Sequence, residues 1–310
     1  MKSGTLLVIT GPTGIGKTEV SVRLASYFGC AVVNSDSRQI YRELPIGTAA
    51  PTQEEQQGVK HYFVGTHSLW EEYNAGQFER DAVQLLDRLM SEAKTQPFAL
   101  LTGGSMMYID AVCYGLDDIP SVPPDIRQQV QQAYAAKGLA WLQQAVQKAD
   151  NTYFSTMADN RNPQRLMHAL EVTLAAGKPY SSFRGKKTAE RPWRLLKIGL
   201  TMPREQLYQR INERVDAMMA AGLEDEVRRA YALVPPDEPL PNSLKTVGYN
   251  ELIRYLRGEW TRDEAVQMIK QNTRHYAKRQ MTWFRRQQDI LWLQRTESME
   301  NMIMKIKEYL

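Results

Sequence analysis

The stretch that most limits what this chain can fold into is VITGPTGIGKTEV, residues 8–20. Gly11, Gly16, Lys17 and Thr18 satisfy the spacing G-x-x-x-x-G-K-[ST], and the stretch falls between an apolar run and an amphipathic one. The loop therefore comprises Gly11, Pro12, Thr13, Gly14, Ile15, Gly16, Lys17 and Thr18. Its glycines let the backbone wrap closely, so that N–H groups and a helix N-terminus face an anion. Lys17 adds a mobile positive charge, and the Thr18 hydroxyl is placed to ligate Mg²⁺. Such a loop needs a strand before it and a helix after it. It does not choose the phosphate: ATP is the default ligand, but any diphosphate fits.

The rest of the chain supplies the sheet that this loop demands. TLLVIT (5–10), CAVVNS (30–35) and FALLTG (98–103) are short apolar runs, with helical stretches such as 18–28 and 75–93 between them. RLLKIGLTM (194–202) and DILWLQ (289–294) extend the series. Strands alternating with helices predict a parallel sheet covered on both faces. Residues 125 to about 180 are rich in Gln and Ala, helical in period and without a strand-like run. The expected architecture is therefore an α/β, P-loop, doubly wound parallel sheet with a helical insertion domain. Residues 1–120 and 189–310 form the core, and 121–188 form the insertion. Within the insertion, SSFRGKKTAERPW reads as a loop leading back to the sheet.

The net charge of +4 is mild, so a nucleic-acid partner has to be argued from local clustering. Two distant cysteines, Cys30 and Cys113, make neither a disulfide framework nor a zinc site, and read as core residues in a reducing compartment. No signal-type region and no membrane-length apolar span are present, which points to the cytoplasm. Trp141, Trp193 and Trp260 read as core.

Three further segments carry candidate chemistry. Asp36, Ser37, Arg38 and Gln39 follow the second strand, at the sheet edge where open α/β sheets place ligands. Asp36 alone could be a helix cap, but the polar run and the Pro and Gly breaks after it suggest a shaped substrate loop. Gly103, Gly104 and Ser105 end the third run, where the glycines would let a ligand approach and the serine offers a hydroxyl. NTRHYAKRQMTWFRR, residues 272–286, carries Arg274, Lys278, Arg279, Arg285 and Arg286, three aromatic residues and no acid. As a helix it is either a solvated face or a surface for single-stranded nucleic acid.

In order along the chain stand GPTGIGKT, DSRQIYRELPIGTAAP, GGSMMY, NPQRLMHALE, KTVGYNE and AKRQMTWFR. Together these segments resemble the tRNA dimethylallyltransferases, and the match spans roughly residues 5–290. The departures are Ala50 where the family usually has Lys, Tyr62 in place of a second His, Ser105 for Thr and Asn250 for Arg. Eukaryotic members often add a zinc finger, which the two distant cysteines, Cys30 and Cys113, are not expected to form. The resemblance implies transfer of a dimethylallyl group from dimethylallyl diphosphate to N6 of adenosine 37, beside the anticodon of tRNA.

It also implies roles. Asp36 becomes the general base, and Lys17, Thr18 with Mg²⁺, Ser105 and Arg214 hold the diphosphate or the base. Arg210 and Arg214 lie one helical turn apart, and the match favours Arg214 as the diphosphate partner. The tRNA anticodon stem-loop would be gripped by Asp36, Ser37, Arg38, Gln39, Ser105 and Arg127. Further contacts would come from Gln164, Arg165, Leu166, Met167 and His168, and from Lys245, Thr246, Val247, Gly248, Tyr249 and Asn250. The basic helix would add Lys278, Arg279, Gln280, Met281, Thr282, Trp283, Phe284 and Arg285. A monomer is expected. The alternatives are a P-loop small-molecule or nucleotide kinase, which lacks an obvious arginine lid here, and a non-catalytic RNA-binding NTPase.

Overall fold

A computed structural model describes residues 4–92, 97–157, 159–185, 189–236 and 238–310. Six strands form one sheet: β1 (Thr5–Thr10), β2 (Val32–Asn34), β3 (His61–Tyr62), β4 (Phe98–Thr102), β5 (Arg194–Thr201) and β6 (Ile290–Gln294). The order is β3-β2-β4-β1-β5-β6, and every pairing is parallel. Five of the six coincide with the apolar runs of the sequence. Strand β3 is the addition, because two residues are too short to show a period. β1 sits centrally, with Leu7 opposite Leu100 on one side and Leu196 on the other. The chain leaves β1 toward β2 and β4, then returns to β5 on the opposite flank, so the phosphate loop opens where the winding reverses.

Beneath that loop lies an apolar cluster including Leu7, Ile9, Ile15, Leu24, Ile198 and Ile211. Ile15, inside the motif itself, is fully buried and anchors the loop to this cluster. A second cluster joins Ile40, Leu44, Val215, Leu223, Tyr249, Leu252 and Ile269. Trp193 is core, while Trp260 packs part-buried against the second cluster. Among the described residues, no helix is long and apolar enough to cross a membrane.

Residues 114–189 form a separate compact unit within a core of 1–113 and 190–310. The unit begins before the expected residue 121, because Ala189 N–H donates to Tyr114 C=O at 2.6 Å and closes its base. It has its own apolar core of Val130, Leu142, Val146, Leu166 and Val172, against which Trp141 packs. Its long helix Pro124–Ala149 is broken at Gly138, where φ is 73°. Buried Asp150 accepts from Tyr153 N–H at 2.9 Å, and from the Ser181 N–H at 2.6 Å and hydroxyl at 2.8 Å. The expected loop at 181–193 begins instead as a 3₁₀ turn, Tyr180–Phe183, and its residues 186–188 lie outside the described residues.

Candidate active site

The helix Lys17–Phe28 starts at Gly16, which takes the left-handed φ of 92° and so aims the free N–H groups of the first turn toward the loop. Lys17 folds back over the loop and donates to the carbonyls of Gly11 and Pro12, both at 3.0 Å. Burial depresses its pKa to about 8; the charge of Asp36 opposes that shift and the charge of Arg214 adds to it. Arg214 is likewise lowered by burial, with Asp36 acting against the change. Lys17, Arg214 and Asp36 therefore form one electrostatic group.

Asp36 follows the end of β2. Its Oδ1 accepts from Arg38 N–H at 2.9 Å, and its own N–H donates to Asn34 Oδ1 at 3.2 Å. This is a local turn, not a helix cap, and it holds the carboxylate at the sheet edge. Arg38 donates to the Asn242 carbonyl at 2.8 Å, tying the substrate loop to the segment before Lys245.

Two clefts open on this group. The first, of about 800 Å³, is lined by Thr13, Gly14, Gly16, Lys17 and Thr18 of the phosphate loop, by Arg210 and Arg214, and by Pro45, Ile46, Thr48, Ala49 and Ala50. The second, of about 360 Å³, is lined by Ser37, Arg38, Lys245–Gly248, Asn250, Tyr276 and Arg279, with apolar Val215, Leu223 and Ile269. Thr13, Asp36, Thr48, Arg214 and Met218 border both. A cation-rich phosphate cleft and a mixed polar and apolar cleft thus share one wall, and the wall contains a carboxylate and a guanidinium.

Several expected contacts are instead structural. Ser105 is buried, and its hydroxyl accepts from Ser37 N–H at 2.8 Å and donates to Ser37 Oγ at 3.0 Å. It shapes the substrate loop. Gly103 and Gly104 have no room for a side chain: a Cβ on Gly103 would clash with the Ser35 hydroxyl and one on Gly104 with the Gln280 amide, and Gly103 lines the phosphate cleft. Gln280 is 1% exposed; its Oε1 accepts from Thr13 N–H and its Nε2 donates to the Gly104 carbonyl, both at 2.8 Å. This glutamine binds the phosphate loop to the basic helix and is not free for RNA. Gln39 lines the phosphate cleft, but its Nε2 donates to the carbonyls of Thr48 (3.1 Å) and Ala49 (2.9 Å). Leu166, Tyr249 and Phe284 have no exposed surface and belong to cores, and Gly248 is buried.

The basic helix runs Arg262–Phe284, longer at its start than the sequence suggested, because Thr261 and Glu264 make a capping box. Arg274 points inward and donates to Asn212 Oδ1 at 2.6 Å, so it does not belong to the free basic face. Lys278, Arg279, Thr282 and Arg285 are exposed, while Met281 and Trp283 are half-buried. His275, Lys278, Arg279, Thr282, Trp283 and Arg286 line an open groove of about 390 Å³. Trp283 is aimed by its indole N–H, which donates to Asp110 at 3.0 Å. In the insertion, Arg127, Gln164, Arg165 and His168 are exposed and Met167 is half-buried.

Arg210, second to Arg214 in the family resemblance, also belongs to the phosphate cleft. Its Nε donates to the Gly14 carbonyl at 3.1 Å, inside the phosphate loop. The spacing of four from Arg214 was the available signal.

The sequence model of a family described as IPP transferase matches residues 39–287. A tRNA dimethylallyltransferase of Parabacteroides distasonis is 50% identical over 294 residues, covering 95% of each chain. One from Bacteroides thetaiotaomicron is 49% identical over 96% of this chain and 94% of its own length. Among solved structures, a tRNA isopentenylpyrophosphate transferase from Bacillus halodurans is 33% identical with a TM-score of 0.71. That match covers 98% of this chain and 95% of the other. A match over most of the chain, relatives near half identical and a shared fold place this protein in the IPP transferase family, as a tRNA dimethylallyltransferase.

Proposed function

We propose that the enzyme moves the dimethylallyl group of dimethylallyl diphosphate to N6 of adenosine 37, next to the tRNA anticodon, and releases diphosphate. The observation that carries this reading is the shared wall. Both clefts end at Asp36 and Arg214, so an allyl diphosphate in one and an adenine in the other would meet there.

The bond from the allyl C1 to the diphosphate oxygen breaks as the C1–N6 bond forms. Negative charge grows on the diphosphate, where Lys17, Arg214, Arg210 and the loop N–H groups stabilise it. N6 is a weak nucleophile because its lone pair is delocalised into the ring. Asp36 takes the proton that N6 loses. Thr18 lines the phosphate cleft at the start of its helix. Among the described residues, no group of three His, Cys, Asp or Glu forms a metal cage. One hydroxyl with phosphate oxygens and water suits Mg²⁺, so Thr18 would hold that ion, which neutralises diphosphate charge when bound.

An adenine within a tRNA loop has to leave its stack to enter a closed pocket. The exposed Lys278, Arg279 and Arg285 suit the phosphate backbone, and Trp283 suits base stacking. On the insertion, Arg127, Gln164, Arg165 and His168 are exposed side chains of the kind that suits RNA. Replacing Lys278 and Arg279 together by Ala is expected to weaken tRNA binding. The salt slope should fall by about one per lost phosphate contact, with allyl diphosphate binding intact. An unchanged slope would return the helix to a solvated face.

The reaction itself is tested by incubation with dimethylallyl diphosphate, Mg²⁺ and bulk tRNA, followed by mass analysis of the nucleosides. Dimethylallyl adenosine is the expected product. Unmodified tRNA with ATP consumed would favour a kinase instead.

A further inference from the structure

The turn at residues 44–50 is fastened from a distant part of the chain. Its short helix Pro45–Thr48 begins at Leu44, whose apolar side chain makes no cap for the free N–H groups. Glu226, from the helix Leu223–Ala232, supplies what is missing. Its Oε2 accepts from Ile46 N–H and its Oε1 from Gly47 N–H, both at 2.8 Å. The Tyr249 hydroxyl donates to the same Oε1 at 2.5 Å, while the Leu44 carbonyl lies 3.2 Å away. A hydroxyl has one proton, so the shorter contact is the bond.

Glu226 is 2% exposed. A carboxylate is held that deep only when several donors meet its charge, and three do here. Tyr249 has no exposed surface, and burial together with the Glu226 charge pushes its phenol upward. Its ring lies against Gly47, where an added Cβ would fall 2.6 Å from ring atoms. Burying a charge and removing a side chain to hold a four-residue helix is more than a solvent-facing turn requires.

The fastened segment is a wall of both clefts. Pro45, Ile46, Ala49 and Ala50 face the phosphate side, Gly47 faces the other, and Thr48 borders both beside Asp36 and Arg214. We propose that Glu226, acting with Tyr249, is a positioning residue for prenyl transfer. By capping the Pro45–Thr48 helix it sets the Thr48 edge against which the allyl group and the adenine are aligned. This role rests on the function proposed above.

The test compares wild type with Glu226→Gln and Tyr249→Phe. The amide keeps the size of Glu226 but has one acceptor oxygen for donors on two arms, so at least one N–H loses its partner. Single-turnover transfer at saturating tRNA and allyl diphosphate is measured on protein shown folded by a melting curve. Binding of inorganic diphosphate is measured alongside, because its charge is met by Lys17, Arg210, Arg214 and the loop N–H groups, none of which Glu226 or Tyr249 hydrogen-bonds. Glu226→Gln is expected to lose roughly 10- to 100-fold in rate, the scale of a small misplacement of reacting groups, with diphosphate affinity unchanged. Tyr249→Phe, which keeps the ring against Gly47, is expected to lose less in the same direction. Wild-type rates in both variants, or losses that only track the folded fraction, overturn the role. Should Glu226→Gln fail to fold, Tyr249→Phe decides alone. A wild-type enzyme that transfers nothing refutes the underlying reaction, whereas an active wild type with unaffected variants refutes only the positioning.

Discussion

Asp36→Asn is expected to slow single-turnover transfer by about 10²–10⁴-fold, or roughly 3–5 kcal/mol on the barrier. The local structure favours a clean experiment. Asp36 shapes its loop through Oδ1, which accepts from Arg38 N–H, and asparagine retains that acceptor. What disappears is the charge that receives the N6 proton. Affinity for tRNA and for the allyl diphosphate should change far less, because the phosphate loop and the exposed cations of the basic helix are untouched. A purely structural Asp36 would show its loss in the melting curve instead. A normal rate constant in the mutant, or a rate restored simply by raising Mg²⁺, would remove Asp36 from the role of base.

Lys17→Met should lower the transfer rate by about 10²–10³-fold, the range for losing one preorganised partner of developing charge. Its pH behaviour separates this from a packing defect. Burial holds Lys17 near 8, against an ordinary 10.5. As pH rises through about 8 the lysine of the free enzyme loses its proton, and kcat/KM for the allyl diphosphate should fall. Stability moves the other way. Between about 8 and 10.5 the unfolded chain binds more protons than the folded one, so this group alone makes the free enzyme more stable as pH rises. Paired profiles of kcat/KM and melting temperature, in wild type and in Lys17→Met, check both signs. If the mutant keeps the wild-type falling limb in kcat/KM, another group is titrating.

Much of this site was legible because its motifs are local. The phosphate loop reads from spacing alone, and Asp36 reads from its place at a strand end. What stayed hidden were pairings across long sequence distance. Gln280 sits among exposed cations in a run that suits RNA, yet one face of its helix turns inward and its amide meets Thr13, 267 residues away. Phe284 and Leu166 follow the same rule: a binding motif on a helix has a buried face, and without a partner surface the phase of that face is ambiguous. Tyr249 lies in the KTVGYNE segment that the family resemblance assigns to RNA, but its hydroxyl serves Glu226. Glu226 itself carries no signal, since it is one of three acids, with Glu224 and Asp225, in the first turn of its helix, where acids ordinarily read as solvated.

The sheet has a consequence for how the chain is made. β1 pairs with β4 on one flank and β5 on the other, with Thr5 opposite both Phe98 and Arg194. Synthesis delivers β4 early, but the whole 114–189 unit emerges before β5. Throughout that interval Leu6, Leu7, Val8 and Ile9, all without exposed surface in the finished protein, form an open strand edge. Apolar edges of this kind recruit other strands. The nascent enzyme is therefore open to strand recruitment at the centre of its sheet until β5 docks along β1, and β5 then holds the open edge until β6 pairs with it.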